Sequence, residues 1–160
     1  MTEAIDKIRV RYLTNMQRTC ATLGHILQRV TQEQATTLRD GEDGWTVLEV
    51  LCHLRDFDGF FYDRAVMMLE QENPLLPKYD HEALAIERNY NGQNLQEVYA
   101  ELAESRSRFV AFFQALTPEQ WERAGIHPER GHFSVTDAAL QVCSHDIDHT
   151  EQITRILTQL

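Results

Sequence analysis

The chain has 160 residues, 42% of them hydrophobic, which suits a single domain spanning residues 1–160 with a core of ordinary size. A formal net charge of -10 excludes a nucleic-acid backbone or an anionic lipid surface as the main partner, because both are held by clustered Lys and Arg. Cys20, Cys52 and Cys143 are odd in number and far apart, no apolar leader follows the charged start, and no run is apolar enough to cross a bilayer; a reduced cytoplasmic setting without export or insertion is expected.

Ile5, Ile8, Tyr12, Met16, Thr19, Leu23, Ile26 and Val30 recur at spacings of three and four and predict a first helix over residues 2–30. Gly41 and Gly44 in RDGEDGW end the segment that follows, and Thr46 caps a second helix that runs to Glu70, where NPLLP closes it. Residues 74–93 read as a connection with a short helix around HEALAIERN. A third long helix starts near Asn94, carries Leu95, Val98, Leu102, Phe109, Phe112 and Leu116, and stops before Thr117 and Pro118. TPEQWERAGIHPERGHF has two prolines, two glycines and no sustained period, so it reads as a loop. Ser134 then caps a fourth helix running nearly to Leu160, with Asp137 at the third helical position. Long amphipathic helices without β-type alternation predict an all-α four-helix bundle, whose helix order the two long middle connections leave open.

Two imidazoles fall where the fourth helix should be apolar. Counting by threes and fours from Val135 gives Ala138, Val142, His145, His149, Ile153 or Gln152, Ile156 and Leu160. Residues four apart share one helix face with Cβ atoms about 5 to 6 Å apart, within reach for two ring nitrogens to grip one ion. The second helix repeats the anomaly, with His53 on or beside the stripe of Val50, Leu54, Phe57 and Phe60 or Phe61. Three neutral nitrogen donors with room left for water make an open site of the kind that zinc, nickel or iron uses. A buried histidine can also satisfy itself on a carbonyl or carboxylate, and HxxxH occurs on solvated faces. Three of them on apolar stripes favour a shared ion, since each unpartnered ring costs on the order of 1 to 3 kcal/mol and one ion relieves all three.

Glu49 and Asp56 lie four before and three after His53 on its face, so either can orient an imidazole or accept a proton from water, and either can equally be solvated. Asp146 and Asp148 flank the histidines and are assigned to the surface. Cys52 and Cys143 read as small buried residues rather than reactive thiolates. His127 and His132, in the loop before the fourth helix, are placed at a pocket mouth or in solvent, and His25 and His81 have no recruiting context. A di-iron centre is excluded because its Glu-x-x-His pair, Glu129 and His132, lies in that loop; HEALA at His81 puts Ala85 where a zincin needs its second histidine.

GWTVLEVLCHLRDFD, LAESRSRFVAFFQALTPEQWER and HFSVTDAALQVCSHDIDHTEQI, in this order and spacing, resemble the DinB/YfiT-like superfamily of metal-binding four-helix proteins over nearly the whole chain. The resemblance implies an up-down-down-up bundle and a triad of one histidine from the second helix and two from the fourth, which fall on His53, His145 and His149. It also implies homodimers. Relatives include S-transferases and isomerases that use low-molecular-weight thiols, and many are described as metal-dependent hydrolases, so the resemblance does not choose the reaction.

The expectation is a cytoplasmic, metal-dependent enzyme acting on a small molecule, as a hydrolase or as a thiol S-transferase with a low-molecular-weight thiol as second cofactor. The alternative is a non-catalytic dimeric bundle that binds a metal or small ligand, in which a fourth protein ligand such as Glu49, Asp56 or a cysteine closes the site. Metal-free core histidines are a third reading, and they predict no metal and little change in melting temperature with chelator.

Overall fold

A computed structural model describes residues 2–160; Met1 lies outside the described residues. In chain order the elements are α1 (Thr2–Leu27), α2 (Gln32–Thr37), α3 (Val47–Glu70), α4 (His81–Glu87), a 3-10 turn at Tyr90–Gly92, and α5 (Leu95–Gln114). There follow α6 (Pro118–Trp121), the strands β1 (Ala124–His127) and β2 (Gly131–Ser134), and α7 (Val135–Leu157). The starts of α3 and α7 fall at Thr46 and Ser134 because each hydroxyl accepts the third helical N–H, while the acid at that position, Glu49 or Asp137, accepts the N–H of the cap residue itself. The first helix ends at Leu27, short of the expected residue 30, although Val30 still reaches the core.

α1 packs against α5 and α7, and α3 packs against the same two, so α1 stands opposite α3. The apolar core has two clusters that reveal the helix directions. One joins Leu23 and Leu27 late in α1, Leu48 and Leu51 early in α3, Leu95 and Val98 early in α5, and Ile153 and Ile156 late in α7. The other joins Leu13 and Met16, Phe61 and Met68, Phe109 and Phe113, and Val135 and Val142, the opposite halves of the same helices. The order is therefore up, down, down, up, as the resemblance implied.

A polar layer lies between these clusters. Arg106 donates to both carboxylate oxygens of Asp58 at 2.8 and 2.9 Å, to both of Asp146, and to the carbonyl of Met16 at 2.9 Å. All five guanidinium N–H groups thus meet acceptors, which is what lets so hydrophilic a group stay 3% exposed. Burial pushes the Asp58 carboxyl up to about 6 against the pull of Arg106. The surface assignment of Asp146 is corrected: it is 1% exposed, because position 146 follows Val142 by four and precedes Ile153 by seven on the buried stripe.

The loop expected before the fourth helix contains a hairpin. β1 and β2 pair antiparallel with Ala124 opposite Ser134 and His127 opposite Gly131. Gly131 has φ of 72°, the left-handed conformation glycine adopts without strain. The hairpin is stitched to the chain leaving α3, with Ile126 N–H donating to the Pro74 carbonyl at 2.8 Å and Leu76 N–H to the Ile126 carbonyl at 2.9 Å. That approach needs Gly125, where an added Cβ would stand 2.8 Å from the Pro74 oxygen. No helix among the described residues is long and apolar enough to cross a membrane.

Candidate metal centre

His53 lies early in α3, and His145 and His149 lie one turn apart on α7, the antiparallel neighbour of α3. Packing brings the three rings together, with centroids 4.8 Å apart for His53 and His145, 4.7 Å for His53 and His149, and 4.5 Å for His145 and His149. One ring nitrogen from each lies within 4.8 Å of the others. Nε2 of His53 stands 2.8 Å from Nε2 of His145. The edge of Trp45 meets His53 at 5.1 Å, and Phe57 packs on His53 at 4.1 Å and stacks on His145 at 5.5 Å.

These surroundings keep the rings neutral. Burial, then the neighbouring imidazoles, hold His53 down at about 2; burial, then His149 and Arg106, hold His145 at about 3; burial also lowers His149. Neutral rings offer lone pairs, the form a metal requires. On His149 the choice of nitrogen is set: Nδ1 is 2.7 Å from the Gln152 carboxamide oxygen, which can only accept, so Nδ1 carries the proton and Nε2 the lone pair. Gln152 in turn donates to Asp40 at 3.1 Å, and Arg155 pairs with the same carboxylate. Nδ1 of His53 is buried with no hydrogen-bond partner, and the two facing Nε2 atoms cannot both carry protons. A divalent ion among the three Nε2 atoms fits this donor set.

Of the other acids considered, neither joins the histidines. Glu49 accepts from the Thr46 N–H at 2.7 Å as part of the helix cap. Asp56 is buried but faces away, accepting from Arg55 at 2.8 Å, Arg88 at 2.7 Å and the Tyr90 hydroxyl at 2.6 Å. The thiols are elsewhere too: Cys52 contacts the Tyr90 carbonyl and burial pushes it up to about 12, while Cys143 contacts the Tyr12 carbonyl and burial pushes it up to about 11. Among the described residues no fourth His, Cys, Asp or Glu completes the group.

The three histidines line a cavity of about 830 Å³. Residues outside the predicted triad supply much of its wall. His81, at the first position of α4, stands 5.7 Å from Trp45 and 6.1 Å from His53. His127 is buried on β1 against Phe133 and faces the cavity, whereas His132 is exposed. Arg64 and Tyr79 complete the wall toward the hairpin. For Arg64 a signal existed, since it follows His53 by eleven residues, about three helical turns, on the same face. For His81 and Tyr79 none did, because loops bring them in, whereas His127 takes the pocket-mouth place that was one of its two expected positions.

Comparison with known proteins agrees with this architecture. The chain matches the DinB superfamily over residues 15–153. It is 27% identical over 150 residues to "Putative metal-dependent hydrolase YfiT" of Bacillus subtilis, covering 91% of this chain and 83% of that protein. It is 31% identical over 122 residues to "Putative metal-dependent hydrolase OB0782" of Oceanobacillus iheyensis, covering 76% and 69%. The solved structure of YfiT, described as having "an unusual four-helix bundle topology", aligns with a TM-score of 0.86 at 26% identity over 94% of this chain and 86% of that one. With the family matched over residues 15–153 and the bundle shared with YfiT, the chain belongs to the DinB superfamily.

Proposed function

We propose that His53, His145 and His149 hold one divalent metal ion, zinc, nickel or iron, and that the protein is a metal-dependent hydrolase of small molecules. The observation that carries this reading is the convergence of three neutral ring nitrogens on the wall of a large cavity, with no carboxylate or thiol joining the group among the described residues. Three protein ligands and an open position characterise catalytic rather than structural sites. The names of the relatives support the same reading. Bound there, a divalent ion supplies Lewis acidity, polarising a carbonyl and acidifying a water or thiol beside it. The chain's own residues prepare the site: Gln152 and Asp40 orient His149, Trp45 and Phe57 fix His53 and shield it from water, and burial keeps the imidazoles unprotonated.

A second reading, transfer chemistry with a low-molecular-weight thiol, uses the same site. The size of the cavity favours it, since about 830 Å³ holds two reactants, and the thiol would come from outside because Cys20, Cys52 and Cys143 are buried. A homodimer in the cytoplasm completes the proposal, and light scattering of the purified protein reads the assembly.

The test is metal content by mass spectrometry on protein purified without a polyhistidine tag. Wild type should carry about one ion per chain and His149→Ala far less. Stoichiometric metal in that variant would remove His149 from the ligand set and the reading with it. Amide and ester substrates, and electrophiles paired with biological thiols, then separate the two chemistries.

A further inference from the structure

Arg64 is a buried cation without a counter-ion. It is 5% exposed and lines the cavity that holds the histidines. Among the described residues its one hydrogen bond is from Nη2 to the Pro77 carbonyl at 2.6 Å, and Nε is buried with no partner. No Asp or Glu lies within ion-pair distance of it among the described residues, whereas Arg106, equally buried, is matched by two carboxylates. The guanidinium carbon lies 5.1 Å from the ring centroid of Tyr79 and 5.9 Å from that of Phe61. A protein does not bury an unpaired charge cheaply, so an unmatched guanidinium facing a cavity marks the place of a missing anion.

Its neighbours agree in sign. His127 accepts the Glu129 N–H through Nδ1 at 3.2 Å, so in the neutral ring Nε2 carries the proton and is a donor. Glu129, the acid of the cavity on the hairpin, is 2.7 Å from Lys78 and paired with it, while Arg130 adds positive charge at the hairpin turn. The remaining acids of the cavity, Asp40, Asp43, Asp80 and Glu82, stand on the loops before α3 and around the start of α4. Phe61 links the two regions, its ring 5.8 Å from His145 and 5.9 Å from the Arg64 guanidinium carbon. On α3, Arg64 lies about 16 Å along the axis from His53, and helical side chains lean toward the N-terminus, so Arg64 reaches back toward the histidines.

We propose that Arg64, with Tyr79 and the Nε2–H of His127, is the anion-binding end of the cavity, and that the substrate carries a compact oxyanion, carboxylate or phosphate, held there while its reacting bond faces the three histidines. This deepens the hydrolase reading and rests on it for the second half of the statement. The anion end itself does not depend on metal.

The experiment therefore uses the metal-free full-length protein at pH 7.5, titrated with phenylacetate and with phenyl phosphate and followed by NMR of the arginine Nε–H and histidine ring resonances. One probe or both should shift the Arg64 and His127 signals saturably, and Arg64→Met should weaken that binding at least tenfold, with Arg64→Lys in between. Tighter phenylacetate assigns a carboxylate-bearing substrate, and tighter phenyl phosphate a phosphate-bearing one. The wild-type titration stands even where Arg64→Met does not fold. Absence of shifts at Arg64, or equal binding by a folded Arg64→Met, overturns the proposal. Metal content of the Arg64 variants should equal that of wild type. Protein that binds the probes but no metal would sink the metal reading and leave the anion end standing.

Discussion

The carboxamide of Gln152 bridges two groups of opposite demand: its oxygen accepts from Nδ1 of His149 at 2.7 Å, and its nitrogen donates to Asp40 at 3.1 Å. Neither end can be reversed without placing oxygen against carboxylate. The bridge therefore fixes the ring of His149 and presents its other nitrogen to the centre of the triad. Replacing Gln152 with Leu should weaken metal binding about 10- to 100-fold, the usual consequence of losing a group that orients a ligand, with little change in the stability of the metal-free protein. Competition against a chelator of known affinity measures it; unchanged affinity would show that His149 needs no orienting.

Acid should loosen the metal-free protein well above the range where carboxylates titrate. His53 and His145 are held at about 2 and about 3, and His149 is also lowered, whereas an unfolded histidine titrates near 6.5. Between those values the unfolded chain binds protons that the folded chain does not. The histidine contribution is thus fully present above about pH 6.5 and is lost as pH falls, by up to about 1.4 kcal/mol per pH unit for each ring. Urea unfolding at pH 7.5, 6.5, 5.5 and 4.5 measures the slope, which should shrink in His145→Ala.

Removing Arg106 leaves Asp58 and Asp146 buried without their common cation. Arg106→Leu should cost about 3 to 5 kcal/mol. Replacing Asp58 and Asp146 by Leu in the same chain should recover much of it, since no buried charge is then left in the layer. Denaturant melts of the single and triple variants give the comparison; an additive loss would show that the three residues do not act together.

Gly125 allows the hairpin to approach the chain at Pro74. A methyl group at this position meets a backbone oxygen that cannot swing aside, so Gly125→Ala should cost about 1 to 3 kcal/mol, as overpacked sites do. The same change should weaken the anion probes more than the metal, because His127 moves with the hairpin while the triad sits on α3 and α7.

Much of this was legible in the chain itself, for one physical reason. A long helix repeats its buried face every three or four residues, so a polar residue on that face is conspicuous, and His53, His145 and His149 were found in this way. Asp146 was misread by a contrary habit, the expectation that an acid points outward; only the distant Arg106 explains why it does not. Glu49 and Asp56 showed the limit of spacing, which places residues on a face but not what they touch. The hairpin escaped because four-residue strands around a Pro-containing turn show no period. His81 and Tyr79 escaped because contacts between loops leave no local trace.

The parallel neighbours α3 and α5 have a consequence for how this cavity can diversify. Having descended about 36 Å along α3, the chain must climb back before α5 can start at the same end as its predecessor. That return journey is compelled by the helix order, and Lys78, Tyr79 and His81 ride on it. Insertions, deletions or substitutions along the ascent can reshape what enters while leaving the histidine-bearing helices untouched, which lets one scaffold hold its chemistry constant and vary its clientele.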